Sequence, residues 1–484
     1  MTPPDPRSRS LSGETTLIIS VLALTTFVML LNETALSVAL PAIMTEFEVT
    51  SAVVQWLLTG VLLTMAIMMP MTGWILDRFT TRSVYFFAVG SFLIGSAVAA
   101  FSSTFAILLG GRVLQAVGTA ILLPLQMTVV MTVVPPKVRG TVMGVIAIVM
   151  AVGPALGPTF AGAVMSVSTW HTTFWIMAAL VAIAAVFAAW KLRNVSELKR
   201  APLDVLSVVL SAVAFGGLVY GLSSAGVLID GGDGAGVVIG VSIAGVAGLA
   251  LFIWRQLALA PSGRALLDLT PLTVKNFVVA IIVIVLFQAA MLGMANTLPL
   301  YLQGALLTTA LVAGLASLPG GLVETILSPI AGAFYDRVGP RPLVVPGTMI
   351  GASALLWMGT VNEESRVWLL VVQYTIFGVA MALSLTPLIT TALSSLPSEI
   401  YSHGSAILNT LLQLAGAAGI AVMIAIFGHV AGAGGGTRAA QGDGAATAFM
   451  VCGGLLVVAV IAALFLRKPE DHGEVKTVES AEPA

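Results

Sequence analysis

The chain has 484 residues, 58% of them apolar and only 9% charged, with a net charge of −1 and a mean hydropathy of +1.05. That composition cannot be folded around one aqueous core, so lipid must cover most of the surface. The near-zero charge, with basic residues confined to short connections, argues against nucleic-acid binding; a single cysteine, Cys452, excludes an internal disulfide or a thiolate metal cluster.

The first 15 residues form a polar tail, and the apolar run after them is too long for a signal peptide and lacks a small-residue cleavage site, so it reads as an uncleaved span. Apolar runs then fall near 16–40, 51–72, 83–103, 105–134, 140–164, 172–190, 203–226, 235–257, 276–302, 306–334, 343–361, 366–393, 403–430 and 445–466. Each is long enough to cross a ~30 Å hydrocarbon core at ~1.5 Å per residue, which predicts an all-α integral membrane protein of fourteen transmembrane helices. Gly-rich stretches at 230–236 and 431–444 read as external turns, and 467–484 as a short cytoplasmic tail. With the N-terminus inside, 18 of the 21 lysines and arginines fall in cytoplasmic segments; Arg366 and Arg438 fall outside and Arg112 lies within a span. Both termini are therefore expected in the cytoplasm of a plasma-membrane protein.

The chain carries an internal duplication. Gly73, Asp77, Arg78 and Arg82 follow the second run, and Gly332, Asp336, Arg337, Gly339 and Arg341 follow the tenth, with the aspartates 259 positions apart. Setting aside an inserted pair of runs at 203–257, each copy holds six helices: an N-terminal bundle at 16–190 and a C-terminal bundle at 276–466. Asp77 and Asp336 stand at cytoplasmic helix ends, where a carboxylate can latch onto a neighbouring helix N-terminus by dipole attraction.

Ionisable groups in hydrocarbon are expensive and mark pathways. Glu33, ~24 Å along the first helix, and Arg112, ~10 Å from the outer end of the fourth, reach similar depths. They form either a pair that a proton can switch or a permanent structural ion pair. Glu324 lies near mid-membrane without an obvious basic partner, suited to coupling, binding or a structural hydrogen bond. Among the amides, Asn32 neighbours Glu33, Gln115 lies one turn from Arg112, and Asn409 and Gln413 share a helix face, so these four are candidates to line a substrate cavity. In the fifth helix Gly153 and Gly157 make a face for close backbone contact, while Pro154 and Pro158 remove ladder bonds and bend the helix, which suits a gate.

These features resemble the fourteen-span drug:proton antiporter branch of the major facilitator superfamily. The likeness rests on the loop signature at Gly73–Arg82, with Thr80 where a glycine is usual, and on Arg112-Val-Leu-Gln115-Ala-Val-Gly118. It rests also on Gly144, Gly153, Gly157 and Pro158, with Ala161 replacing the pattern's last glycine. In the first helix Asn32-Glu33 resembles the lincomycin-resistance-like members. The resemblance implies two six-helix bundles plus an inserted hairpin, and proton-coupled export of amphipathic drug-like compounds by alternating access. It implies no enzymatic reaction and no cofactor beyond the proton, with membrane lipid and small amphipathic molecules as partners and a monomer as the expected state. An endogenous metabolite or lipid as substrate, or a membrane channel, are the alternatives.

Overall fold

The computed structural model describes residues 13–49, 51–54, 56–192, 194–195, 203–224, 234–262 and 264–469. The first twelve residues of the N-terminal tail, the turn before Gly234 and the C-terminal tail beyond residue 469 lie outside them. Among the described residues the fold is all-helical, with fourteen long helices. They are α1 (Gly13–Ala35), α2 (Trp56–Arg78), α3 (Thr81–Ala100), α4 (Phe105–Val133), α5 (Arg139–Met165), α6 (Trp170–Lys191) and α7 (Val205–Ser223). The series continues with α8 (Ala235–Leu259), α9 (Lys275–Gly304), α10 (Ala310–Val338), α11 (Arg341–Met358), α12 (Val367–Ser394), α13 (Tyr401–Ala433) and α14 (Arg438–Ala463).

Thirteen of these are long and apolar enough to cross a membrane. The one outside that set is α11, whose first turn is diluted by Arg341 and Pro342 and whose body carries Pro346; it packs between α12 and α14 as the third helix of the second bundle. Two expected segments differ in detail. The run at 16–40 is not one helix: α1 stops at Ala35, a 3₁₀ turn covers Leu36–Val38, and a short helix with Pro near its start covers Leu40–Phe47. Pro41 stands in the first turn of the short helix, where its missing N–H leaves no ladder bond unmade. The turn assigned to 431–444 shrinks to the residues between Ala433 and Arg438, where Gly435 and Gly436 adopt φ of 71° and 68°, a region glycine enters without penalty.

Threonine and aspartate side chains start several helices by accepting an otherwise orphaned backbone N–H: Thr80 from Ser83, Thr104 from Ile107, Asp204 from Ser207, Thr309 from Val312 and Thr437 from Ala440. Large apolar side chains such as Phe87, Ile94, Trp190, Ile243, Trp254, Ile326 and Trp368 point outward, as expected where lipid rather than water is the solvent.

The duplication is written in the packing. In the first bundle α1 packs on α4, α5 and α6, α3 on α4 and α6, and α2 on α4; in the second, α9 packs on α12, α13 and α14, α11 on α12 and α14, and α10 on α12. The bundles meet through α2 with α13 and α5 with α10, two contacts that exchange when the halves are swapped. The hairpin α7–α8 rests against α2 and, through α7, against α13. Its own seam is nearly backbone on backbone, because a Cβ on Gly217 would lie 2.8 Å from Gly245 Cα.

Candidate functional site

The two bundles close on each other at the face where α1 begins and α14 ends. Asp336, in the last turn of α10, accepts the N–H of Gly140 at 2.7 Å, the N–H of Thr141 at 2.9 Å and the Thr141 hydroxyl at 2.6 Å, all at the start of α5. Asp77, in the last turn of α2, accepts the Ser402 hydroxyl and faces His403 Nε2 at 3.3 Å, both at the start of α13. Each carboxylate thus sits at the positive end of a helix in the opposite bundle. Between the two latches Arg139 donates to the Tyr401 hydroxyl at 3.2 Å, joining the first residues of α5 and α13.

Glycines report how the bundles diverge from there. A Cβ on Gly332 would lie 2.1 Å from Gly140 O, and one on Gly144 would lie 2.7 Å from Pro329 Cα; further along α10, Gly321 and Gly314 have nothing within 4 Å. The α5–α10 seam is sealed near the chain ends and open toward the other face. Hydrogen bonds between the bundles cluster on the sealed side, among them Thr128 with Ser405 at 2.8 Å, Asn409 to Met127 Sδ at 3.3 Å and Gln413 to Met65 Sδ at 3.8 Å.

Inside the first bundle, between α1, α2 and α4, a small polar pocket is lined by Met29, Asn32, Glu33, Val61, Arg112, Gln115, Ala116 and Thr119. Its construction follows from the break in α1. Ending the helix at Ala35 strips last-turn carbonyls of their usual donors, and a cation is the favoured partner there. Arg112 supplies it: Nη1 donates to Asn32 O at 3.3 Å and Nη2 to Glu33 O at 3.2 Å. Nη1 also donates to Gln115 Oε1 at 3.0 Å, and Gln115 Nε2 donates to Ser96 Oγ at 2.8 Å. The α3–α4 contact that presents Ser96 to Gln115 needs glycine, since a Cβ on Gly95 would lie 2.6 Å from Gly111 O. Arg112 is 1% exposed and its Nε has no hydrogen-bond partner. The guanidinium holds Glu33 by its main-chain carbonyl and stands within electrostatic reach of its side chain, and both residues line the same pocket.

Asn32, Glu33, Arg112 and Gln115 therefore come together. Asn409 and Gln413 do not join them; they face Met127 and Met65 across the bundle interface. Glu324 also stands apart, half-buried on α10 within electrostatic reach of Tyr374. Gly153 and Gly157 pack within their own bundle, where a Cβ would lie 3.1 Å from Leu30 Cβ and 2.1 Å from Thr34 Oγ1 respectively. The backbone at Pro154 and Pro158 is helical, and their side chains lie outside the described residues. The signature arginines divide. Arg82 Nη2 donates to Ala189 O at 2.7 Å and Arg341 Nη2 donates to Leu464 O, each tying down the end of its own bundle's last helix, while Arg78 and Arg337 are exposed. Ser402, His403, Gly140 and Thr141 were not singled out by sequence. The signal was present: Pro135 to Thr141 and Pro397 to His403 stand in equivalent places before and within the first turns of α5 and α13.

Two bundles of matching topology, sealed against each other at one face, with a polar pocket inside the first of them, define a membrane transporter rather than an enzyme. The Major Facilitator Superfamily model matches residues 22–420, and the chain belongs to that family. It is 37% identical to the lincomycin resistance protein LmrB of Listeria innocua over 84% of this chain and 86% of that protein. It is 27% identical to the multidrug export protein EmrB of Haemophilus influenzae over 84% of this chain and 79% of that one. Among solved structures, the human organic anion transporter MFSD10 (TETRAN) shares the fold at a TM-score of 0.66 and 17% identity, covering 93% of this chain and 99% of that chain.

Proposed function

We propose that this protein exports amphipathic, drug-like molecules from the cytoplasm by proton-coupled alternating access, with both termini cytoplasmic, in the plasma membrane, as a monomer. The observation that carries this reading is the sealing of one face by Asp77 and Asp336, each on a helix start of the other bundle, together with an acid and a base, Glu33 and Arg112, in one pocket of the membrane interior. The relatives named for lincomycin resistance and multidrug export supply the substrate class and the direction.

In the state seen here a proton from outside reaches Glu33, weakens its attraction for the Arg112 guanidinium and lowers the cavity's affinity for bound substrate. When the latches open and the outer face closes, the proton leaves to the cytoplasm and a new substrate enters. Each inward charge contributes about 2.3 kcal/mol per 100 mV, enough for a concentration ratio of about 50 before any pH difference is added. Glu324 has no part assigned in this cycle.

The test is proton release from purified protein on adding lincosamides, macrolides or hydrophobic dyes. Wild type is expected to release protons and Glu33→Gln none, while remaining folded in the membrane. Normal coupled transport by Glu33→Gln would sink the assignment, and binding without release by wild type would point to another coupling ion.

A further inference from the structure

Among the described residues, the inserted hairpin is tied to the Asp77 latch and not to the Asp336 latch. Gln256, near the end of α8 and 1% exposed, donates through Nε2 to Ser207 Oγ of α7 at 2.8 Å and accepts the N–H of Leu267 at 3.1 Å. The next N–H along the chain, that of Asp268, donates to His403 Nδ1 at 3.2 Å. Leu266 and Leu267 are buried on either side of this crossing, so the segment between hairpin and second bundle is a packed strap. A histidine whose Nδ1 accepts an amide N–H carries its proton on Nε2, and Nε2 is the atom that faces Asp77 Oδ2. The hairpin itself is clamped at the same face by Arg255, which donates to both carboxylate oxygens of Asp204, at 2.6 and 2.7 Å. At the equivalent place in the other latch stands Thr141, which donates to Asp336 directly.

We infer that Gln256 is a positioning residue of the transport cycle: through the Leu267–Asp268 strap it fixes the tautomer and orientation of His403, and so sets how firmly the Asp77 latch holds the sealed face. The hairpin becomes the element that biases one latch while the Asp336 latch answers only to the two bundles. The inference rests on the alternating-access reading but not on the identity of the substrate or the coupling ion.

Two spin labels test it in the full chain in lipid nanodiscs, at Lys137→Cys and Ser398→Cys in a Cys452→Ala background. The two exposed sites lie on the 3₁₀ turns that precede α5 and α13, one in each bundle at the sealed face. Asp77→Asn is the reference for a released latch. Gln256→Leu is expected to raise the long-distance population about five-fold or more toward that reference, and to add nothing in a His403→Ala background. Ser207→Ala, which removes the acceptor that orients Gln256 and also one hydroxyl bond to Asp204, is expected to shift it the same way by less while Asp204→Asn does not, and this pair decides the matter if Gln256→Leu does not reach the membrane. A parent-like distribution for Gln256→Leu beside a shifted Asp77→Asn, or an effect that adds in full to His403→Ala, would overturn the inference. No shift even with Asp77→Asn would overturn the latch itself, and the inference with it.

Discussion

Asp77 and Asp336 occupy equivalent last turns of α2 and α10, yet Asp336 takes two backbone N–H groups and one hydroxyl, whereas the partners of Asp77 include two side chains, the Ser402 hydroxyl and the His403 ring. The duplicated motif determines where each carboxylate is delivered; the receiving helix determines the chemistry it meets. At α5 the receiver is a nearly bare helix end, because Gly140 leaves room for the main chain of α10 at Gly332. At α13 the room left by Gly73 is filled by the ring of His403, which a Cβ would meet at 2.5 Å. A latch made on main-chain donors is insensitive to substitution of its partners, and one made on side chains can be adjusted by whatever else holds them.

Removing the charge should break the comparison most visibly. Charge-assisted bonds to two N–H groups contribute about 1.5–3 kcal/mol each way of counting, so Asp336→Asn is expected to shift the sealed-to-open ratio by an order of magnitude or more, and further than Asp77→Asn does. Thiol accessibility at the sealed face measures both; equal shifts would erase the distinction between backbone and side-chain latches. Next comes Gly332→Ala, whose methyl meets a backbone oxygen that cannot rotate away, at a cost of about 1–3 kcal/mol to the sealed state. A variant that seals normally would show that the α5–α10 approach is looser than described.

Ser402→Ala should cost about 1.5 kcal/mol, the low end for one bond to a charged group, and Thr141→Val less, because the two N–H donors of α5 remain. The reverse ranking in the same accessibility assay would place the weight of the second latch on its hydroxyl. The smallest effect is expected away from both latches. Arg255 holds the Asp204 carboxyl below the usual carboxylate range, chiefly through its hydrogen bonds. A depressed folded-state value contributes stability that is present above the unfolded value near ~4 and lost only as pH falls through the lower folded value. Asp204→Asn should therefore lower the melting temperature slightly and equally at about pH 6 and about pH 8; a fall confined to one of them would contradict the ion-pair account.

Most of the helix order was legible because length and apolarity report directly on a ~30 Å hydrocarbon core. The duplication was legible because Gly73, Asp77 and Arg82 recur as Gly332, Asp336 and Arg341. What stayed hidden depends on three-dimensional geometry. The end of α1 at Ala35 was not read from the sequence, and that Arg112 would serve the carbonyls it frees required knowing that α4 passes beside it. Asn409 and Gln413 share a face as expected, but that face turns toward α4 and α2 of the other bundle. His403 lies 326 positions from Asp77, and nothing local in either segment announces the other.

The break in α1 also separates two electrical roles that a simple salt bridge would fuse. Because the Arg112 guanidinium is held by the carbonyls of Asn32 and Glu33 and by the Gln115 amide, its place does not depend on whether the Glu33 carboxylate carries a charge. Neutralising the acid leaves a resident cation standing in the cavity, so the site's potential swings between roughly balanced and net positive without any side chain having to move. The two carbonyls and the amide thus hold a fixed electrode, against which a single mobile proton is read.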